Sequence, residues 1–143
     1  MKKIIVAISG ASGSIYGVRL LEVLRERAHT HLILTPSARR VIELETSRDS
    51  DSVSASAGRA HDFHDLTSPL ASGSTVWDGM AVVPCSIKSL SVIANCYADS
   101  LLGRAADVTL KERRKLVLVV RETPLHAGHL ELMKRVTEMA AVV

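Results

Sequence analysis

The chain has 143 residues, of which 47% are hydrophobic and 23% are charged. A chain of this length buries roughly 68–70% of its unfolded surface as one domain, and this composition excludes a disordered tail, a collagen-like repeat and a coiled coil. Its two cysteines, Cys85 and Cys96, are too few for a secreted disulfide framework, so we expect a cytoplasmic protein. The apolar runs are only strand-length, so we expect no membrane association.

The formal charge of the chain is +3, from 18 basic and 15 acidic residues. Six basic and two acidic residues lie between Arg104 and Arg121, so this segment carries more excess positive charge than the whole chain. A basic patch can bind nucleic acid, but aromatic residues make up only 3% of the chain and no RNA- or DNA-binding motif accompanies it. We therefore expect a small anionic ligand and no nucleic acid.

The first part of the chain predicts a strand, a glycine turn and a helix, followed by a second strand and helix. Lys3–Ile8 is an apolar run rich in β-branched residues, typical of a buried strand. Glycines follow at 10, 13 and 17, and apolar residues recur opposite charged ones over 14–27, which predicts an amphipathic helix. His31–Leu34 predicts a second strand. Thr35 as N-cap and Pro36 at the first helical position begin a helix that ends near residue 45.

The middle of the chain interrupts this alternation and then resumes it. Five serines fall within ten residues, among aspartates, at the start of segment 47–70. We expect this segment to be a mobile excursion that can include short helical pieces. Gly79–Pro84 is a third apolar run and predicts a third strand, and Ser86 predicts the N-cap of the helix that follows.

The last part of the chain continues the alternation of helices and strands. A helix is predicted over 100–114, followed by a buried strand at Leu116–Val120. Thr123 and Pro124 repeat the pairing of N-cap and proline and predict a helix through residue 139. The apolar residues 140–143 are typical of a strand cut at its start. The alternation predicts a three-layer α/β/α fold around a parallel sheet, as one domain over 1–143.

Residues suited to phosphate binding follow all four predicted strands. Because the carboxyl ends of parallel strands meet at one edge of a sheet, these residues should lie close together. Hydroxyls, exposed helix N-terminal amides and an arginine are what a phosphate requires, although a single such serine or threonine is most often merely an N-cap. The dinucleotide and P-loop fingerprints are absent, so a single nucleotide-like phosphate is expected. The four groups are Gly10–Gly13, Thr35, Ser86–Ser89 and Arg121–Glu122.

Three other groups of reactive side chains have structural interpretations that we favour. Residues 61–65, His-Asp-Phe-His-Asp, lack a second ligand cluster, so we interpret them as solvated surface and predict no metal site. His126 and His129 are favoured as surface or interface residues over catalytic ones. Cys85 is favoured as a buried small residue at a strand end over an activated thiolate.

The chain resembles the flavin prenyltransferases, the UbiX family, in long and specific motifs. They are ISGASGSIYGVRLLEVLRE at 8–26, ELET at 43–46, ASGS at 71–74, PCSIKSL at 84–90, GRAADVTLKERRKLVLVVRETPL at 103–125 and GHLELM at 128–133. The resemblance implies a flavodoxin-like, Rossmann-like subunit that binds FMN and assembles into homo-oligomers, commonly dodecamers. It implies transfer of a dimethylallyl group from dimethylallyl phosphate to N5 and C6 of reduced FMN, and delivery of the product to a UbiD-type decarboxylase.

The resemblance also assigns roles to individual residues. It implies that FMN is held by Gly10, Ala11, Ser12, Thr35, Ser86, Ile87, Lys88, Ser89 and Arg121, and that the catalytic group is Glu45, Lys111, Arg121 and Glu122. A departing phosphate must be protonated and neutralised, and the flavin C6 must lose a proton. We assign Glu122 to the phosphate, Lys111 and Arg121 to charge neutralisation, and Glu45 to the flavin proton. The structural alternative for either glutamate is a surface ion pair at a helix end. The family usually has serine at position 35, where this chain keeps the hydroxyl and adds a methyl group.

Two alternatives remain open at this point. Family members continue with a tyrosine and an arginine that clamp dimethylallyl phosphate, and this chain ends before either, so we expect FMN binding with poor prenyl transfer. A non-catalytic FMN-binding or assembly subunit is therefore one alternative. The other is a flavin-dependent cysteine decarboxylase, although the catalytic histidine after the first glycine turn and the P-A-S-A-N-T and methionine-rich loops of those enzymes are absent here.

Overall fold

A computed structural model describes residues 1–143 and contains one five-stranded sheet. Every pair of neighbouring strands is parallel, and their order across the sheet is β3-β2-β1-β4-β5. The strands are β1 (Lys2–Ile8), β2 (Ala28–Leu34), β3 (Arg59–His61), β4 (Gly79–Cys85) and β5 (Lys115–Val120). The four strands predicted from apolar runs are confirmed.

Helices cover both faces of the sheet. They are α1 (Ser14–Leu24), α2 (Pro36–Glu45), α3 (Ser50–Ser56), α4 (Ile87–Ala94), α5 (Leu101–Lys111) and α6 (Ala127–Glu138), with one 3₁₀ turn over Pro69–Ala71. Val18, Ile42 and Val53 pack α1, α2 and α3 against one face. Buried residues of α4, α5 and α6 form the larger core on the other face. The predicted three-layer, flavodoxin-like α/β/α fold is therefore confirmed.

The direction in which the chain adds strands reverses between β1 and β4. Strands β2 and β3 extend the sheet to one side of β1, whereas β4 and β5 extend it to the other. In open α/β sheets, ligands bind outside the carboxyl ends of the strands at such a reversal. The loops that follow Ile8 and Cys85 begin at this position, so we expect the ligand site there.

Segment 47–70 contains a helix and an edge strand that the sequence analysis did not place. The side chain of Asp49 accepts a hydrogen bond of 2.8 Å from the backbone of Ser52, which caps α3. Strand β3 pairs with β2 from His31 opposite Arg59 to Ile33 opposite His61. The strand was missed because it is three residues long and has only one apolar side chain, so its pairing with β2 fixes it.

The predicted start of the last helix is wrong. Helix α6 begins at Ala127, three residues after the proposed proline start. The ring of His126 accepts hydrogen bonds from the backbone of Gly128 and His129, and the ring of His129 accepts one from the backbone of His126. The His126 ring thereby satisfies two of the free N–H groups of the first turn, so the helix starts beside it. Beyond the helix, Val142 forms an isolated parallel bridge with Val117 of β5.

No helix in the structure combines the length and the apolar character needed to cross a bilayer.

Candidate functional site

A cavity of about 380 Å³ opens at the carboxyl end of the sheet, where the strand order reverses. Its volume lies within the roughly 300–1,000 Å³ typical of small-molecule sites. Of the residues expected to bind FMN, those that line it are Gly10, Thr35, Ser86, Lys88 and Ser89. Sequence reasoning did not find five further polar or aromatic lining residues: Ser37, Phe63, His64, Asp99 and Ser100.

Two helix N-termini face this cavity. The Thr35 hydroxyl accepts a hydrogen bond of 3.0 Å from the backbone of Ala38 in α2, and the Ser86 hydroxyl accepts one of 3.2 Å from the backbone of Ser89 in α4. Both predicted N-caps are thereby confirmed. The backbone N–H groups of Ile87 and Lys88 have no acceptor within the chain. Free N-terminal amides, together with the helix dipole, form an anion site.

A buried serine joins the two loops that border the strand reversal. The Ser9 hydroxyl donates a 2.7 Å hydrogen bond to the carbonyl of Pro84 and accepts one of 2.7 Å from the backbone N–H of Ser86. Ser9 is 1% exposed, so water cannot replace either bond. The end of β1 therefore fixes the first residue of the α4 cap, and the positions of the two loops are coupled.

Glycine is required at two positions of the loop after β1. A Cβ atom on Gly10 would overlap the side chain of Ser37, so the loop can approach α2 only without a side chain. Gly13 has φ of 100°, in the left-handed region that glycine adopts without strain. The loop thus follows the N-terminus of α2 closely and then turns directly into α1.

Ser12 and Glu45 contact each other beside the N-terminus of α1. The Ser12 hydroxyl donates a hydrogen bond to one oxygen of the Glu45 carboxylate. The backbone N–H of Gly13 donates to the other oxygen at 3.0 Å. These hydrogen bonds, that from Ser12 foremost, lower the pKa of Glu45 below its usual value. Glu45 is therefore a carboxylate at neutral pH.

Arg121 and Glu122 follow β5 at the same end of the sheet. The backbone N–H of Arg121 donates a 3.0 Å hydrogen bond to the carbonyl of Cys85, the residue before Ser86. Adjacent strands lie about 4.8 Å apart, which puts Arg121 next to the α4 cap. The guanidinium makes no hydrogen bond or ion pair, and one Glu122 oxygen accepts only from the backbone of Thr123. Neither Ala11, Ser12, Ile87 nor Arg121 lines the cavity itself.

Lys111 lies at the opposite end of the same subunit. It is the last residue of α5, a helix whose first turn contributes Leu102 to the cavity. Eleven helical residues span roughly 16 Å. Lys111 forms an ion pair with Glu112 near the backbone of Gly73, before β4 begins. The structure therefore brings Glu45, Arg121 and Glu122 to one end of a subunit and leaves Lys111 at the other.

The remaining reactive groups have structural roles. Cys85 is buried at the end of β4, as predicted, and desolvation raises the pKa of its thiol to about 12. His61 is half-buried between His31 and Ser68, so its interpretation as solvated surface is wrong. His126 and His129 stack on each other as the cap of α6. No group of three or more histidine, cysteine or acidic side chains is arranged to hold a metal ion.

The flavoprotein family model matches residues 1–142. The flavin prenyltransferase UbiX of Escherichia coli K12 is 54% identical, covering 100% of this chain and 77% of its own length. The crystal structure of AnUbiX (PadA1) in complex with FMN and dimethylallyl pyrophosphate matches with a TM-score of 0.97 at 45% identity, over 99% of this chain and 76% of that one. A dodecameric FMN-dependent UbiX-like decarboxylase from Escherichia coli O157:H7 matches with a TM-score of 0.96 at 48% identity, over 98% and 77%.

The cysteine decarboxylase alternative receives much weaker support. The FMN-dependent cysteine decarboxylase TvaF is 17% identical, with a TM-score of 0.79 over 100% of this chain and 89% of that one. Similarity at this level shows a common fold and nothing about the reaction. Three findings agree on one assignment: the motifs after β1, β4 and β5, the cavity at the strand reversal, and the identity of about half of all positions. The chain belongs to the flavin prenyltransferase UbiX family.

Proposed function

We propose that this chain is a flavin prenyltransferase that binds FMN in the cavity at the carboxyl end of its sheet. When bound, reduced FMN supplies the N5 and C6 atoms to which the dimethylallyl group of dimethylallyl phosphate is joined. One observation carries the assignment of the site: the N-termini of α2 and α4 converge, with their hydroxyl caps, on one cavity at the strand reversal. The prenylated product serves a UbiD-type decarboxylase.

The chemistry of the cavity fits FMN. Its polar side offers the free amide and the ammonium of Lys88 and the buried Ser89 hydroxyl, all suited to a phosphate, and the free amide of Ile87 lies next to them in the chain. Its apolar side offers Phe63, Val92 and Leu102, which suit an aromatic ring. A cavity with a cationic, hydroxyl-rich end and an apolar wall matches a molecule made of a phosphate and a flavin ring.

We assign the proton and charge chemistry to three groups at this end of the sheet. Glu45, which Ser12 and Gly13 hold as a carboxylate, is the base that we assign to the proton leaving the flavin. Arg121 has no partner within the subunit and can neutralise a departing phosphate. Glu122 keeps one carboxylate oxygen without a hydrogen bond, so that oxygen can bind a proton and then donate it to the departing phosphate.

We propose that Lys111 acts on the site of a neighbouring subunit. Within one subunit, roughly 16 Å of helix α5 separate it from the cavity. Lys111 and Arg104 lie on α5 beside the 71–74 loop, and Arg104 donates a 3.0 Å hydrogen bond to the carbonyl of Ala71. One relative is dodecameric, and we propose that an assembly of copies brings this face close to another subunit's strand ends. A site completed in this way requires the chain to assemble as a homo-oligomer.

Two further assignments rest on the packing of the core and on the cysteines. We propose that residues 1–143 act as one FMN-binding domain, because core residues of both helix layers pack on the same sheet. We propose a cytoplasmic location, because Cys85 and Cys96 are both unpaired, as is usual in a reducing compartment.

FMN binding and product formation test the function. The native protein should quench FMN fluorescence at one FMN per subunit and, incubated anaerobically with reduced FMN and dimethylallyl phosphate, should yield prenylated FMN by mass spectrometry. Ready formation of product would overturn the expectation of poor prenyl transfer, whereas FMN binding without product would favour the non-catalytic alternative. Glu122→Gln should bind FMN normally and form product at least tenfold more slowly, since a general acid contributes about 10²–10⁴ in rate. Absence of FMN binding contradicts the whole assignment, and full activity of Glu122→Gln contradicts the role of that residue.

Mixed oligomers test the contribution of a second subunit. Lys111→Met and Glu122→Gln should each be nearly inactive alone, and co-assembly of the two should restore activity, because some sites then receive both intact residues from different subunits. A matched mixture of Glu45→Gln and Glu122→Gln, which alter the same end of one subunit, should remain inactive. If the Lys111 mixture also remains inactive although mixed oligomers form, Lys111 does not act between subunits.

A further inference from the structure

Three side chains form a continuous hydrogen-bonded chain at the β2–β3 edge of the sheet. Nδ1 of His31 lies 2.9 Å from Nε2 of His61, and Nδ1 of His61 lies 2.9 Å from the hydroxyl of Ser68. Ser68 is buried and also accepts a hydrogen bond from the backbone of Leu70. A neutral imidazole has one donor and one acceptor nitrogen, so two neutral histidines satisfy every link.

The hydrogen-bonded chain of His31, His61 and Ser68 holds both ends of the turn that forms one wall of the cavity. His61 ends β3 and Ser68 closes the turn, so one imidazole ties the start and the end of segment 62–67 to β2. The turn contributes Phe63 and His64 to the cavity. The backbone carbonyl of Phe63 also accepts a 2.8 Å hydrogen bond from Leu101 at the start of α5.

The charges around the two histidines disfavour an added proton. Lys3 of β1, His29 of β2 and Arg59 of β3 face the pair, whereas Asp65 is the one acid near it. The Asp65 carboxylate already accepts hydrogen bonds from the backbone and the hydroxyl of Thr67. If both rings were protonated, two N–H groups would point at each other across 2.9 Å, and the link between β2 and the turn would break.

We propose that His31, His61 and Ser68 are positioning residues that hold the Phe63–His64 wall of the FMN cavity, and that acid opens this wall and releases FMN. Desolvation, followed by the neighbouring positive charges, lowers the pKa of both histidines, that of His61 to about 4. An opened turn returns the rings to water and to an ordinary pKa near 6.5. Open molecules therefore bind protons that closed ones do not, and the open form gains population as pH falls from about 6.5 towards 4.

The inference rests on the proposed FMN site, and a pH series of FMN dissociation constants tests it. In His31→Asn the amide oxygen, near the former Nδ1, can accept from a protonated His61, so the link survives in acid. His29→Asn is the control, because His29 is an exposed histidine of the same strand that makes no hydrogen bond and has the weakest effect of the charges that act on His31. Dissociation constants from fluorescence quenching between pH 7.5 and 5 for the native protein and both variants give the comparison, with circular dichroism to verify folding.

We expect the native protein and His29→Asn to lose about tenfold more FMN affinity on acidification than His31→Asn, because only His31→Asn lacks the second ring whose protonation sets two N–H groups against each other. Ionisation of the FMN phosphate contributes equally to all three proteins and cancels. A second variant, Ser68→Ala, should bind FMN several-fold more weakly at pH 7.5. Parallel loss of affinity in all three proteins overturns the inference and leaves the FMN site intact, whereas absence of FMN binding by the native protein at pH 7.5 overturns both.

Discussion

The two ends of the parallel sheet use their positive charges in opposite ways. At the carboxyl end, Lys88 and Arg121 make no ion pair and lie beside free helix amides. At the amino end, the Arg114 guanidinium donates hydrogen bonds to the carbonyls of Gly73 and Thr75 and lies 4.4 Å from the ring centroid of Trp77. A cation whose hydrogen bonds are already made holds a loop, whereas one without partners is available to a ligand. The comparison predicts that changes at the amino end alter stability and that changes at the carboxyl end alter FMN affinity.

The largest expected effect is at the amino end, from Trp77→Ala. Trp77 is 2% exposed, and its Nε1 donates a 3.1 Å hydrogen bond to the Thr109 hydroxyl. Removing the ring leaves a cavity and takes the stacking partner from Arg114, so the free energy of unfolding should fall by about 3–5 kcal/mol in urea titrations. The FMN dissociation constant, measured where the variant is folded, should stay within about twofold. Val76→Ala, at an exposed neighbouring position, is the control and should be nearly silent.

Arg121→Ala should give the reverse pattern. Loss of a charge-assisted hydrogen bond costs about 1.5–3 kcal/mol, so FMN should bind roughly 10- to 150-fold more weakly. The free energy of unfolding should change by less than about 0.5 kcal/mol, since the exposed side chain has no partner in the subunit. Arg113→Ala removes an exposed arginine at the amino end and should leave FMN affinity unchanged. Equal loss of FMN affinity in both variants would remove the distinction between the two ends.

Ser9→Ala should affect both properties, because it lies beneath the site. It leaves the backbone N–H of Ser86 without an acceptor in a buried position, which costs about 1–3 kcal/mol of stability and loosens the α4 cap. We expect FMN binding to weaken several-fold in calorimetric titrations. Thr30→Ala is the matched control: its buried hydroxyl accepts a 2.9 Å hydrogen bond from Gly58, between β2 and β3. Thr30→Ala should lower stability by a similar amount but leave FMN affinity unchanged. If both variants lost FMN affinity equally, the account would be contradicted.

The smallest expected effect is the dependence of stability on the ionisation of Glu45. The pKa of its carboxyl is lowered in the folded protein, so its contribution is complete above the ordinary value of 4.5 and is lost as pH falls below it. Glu45→Gln should therefore be less stable than the native protein at neutral pH, and the difference should shrink in acid. Glu26→Gln, which alters an exposed carboxylate without a hydrogen bond, is the control. A difference between Glu45→Gln and the native protein that stays constant from pH 7 to about pH 3 would show that the ionised form is not the stabilising one.

Sequence reasoning found the elements whose signals are local. Apolar runs predicted β1, β2, β4 and β5, and hydroxyl caps predicted the starts of α2 and α4. It missed β3, since the pairing of three residues with β2 decides that strand, and it misplaced the start of α6, since histidine lies outside the usual set of N-caps.

The candidate site divides in the same way. Hydroxyls and glycines next to strand ends, such as Gly10, Thr35 and Ser86, were found because the strands themselves carry them to the cavity. Phe63 and His64 were not found, because their position beside the cavity depends on β3 and on the hydrogen-bonded chain of His31, His61 and Ser68. The position of Lys111 could not be predicted either, because one continuous motif runs along α5 from one end of the sheet to the other.

A crystal structure of the native protein with FMN tests the central claim most directly. We predict that the phosphate lies within hydrogen-bond distance of the backbone N–H of Lys88 and of the hydroxyls of Thr35 or Ser89, with the flavin ring against the wall formed by Phe63 and Val92. FMN bound away from this cavity, for example in the basic groove of Arg113 and Lys115 at the amino end, would contradict the account.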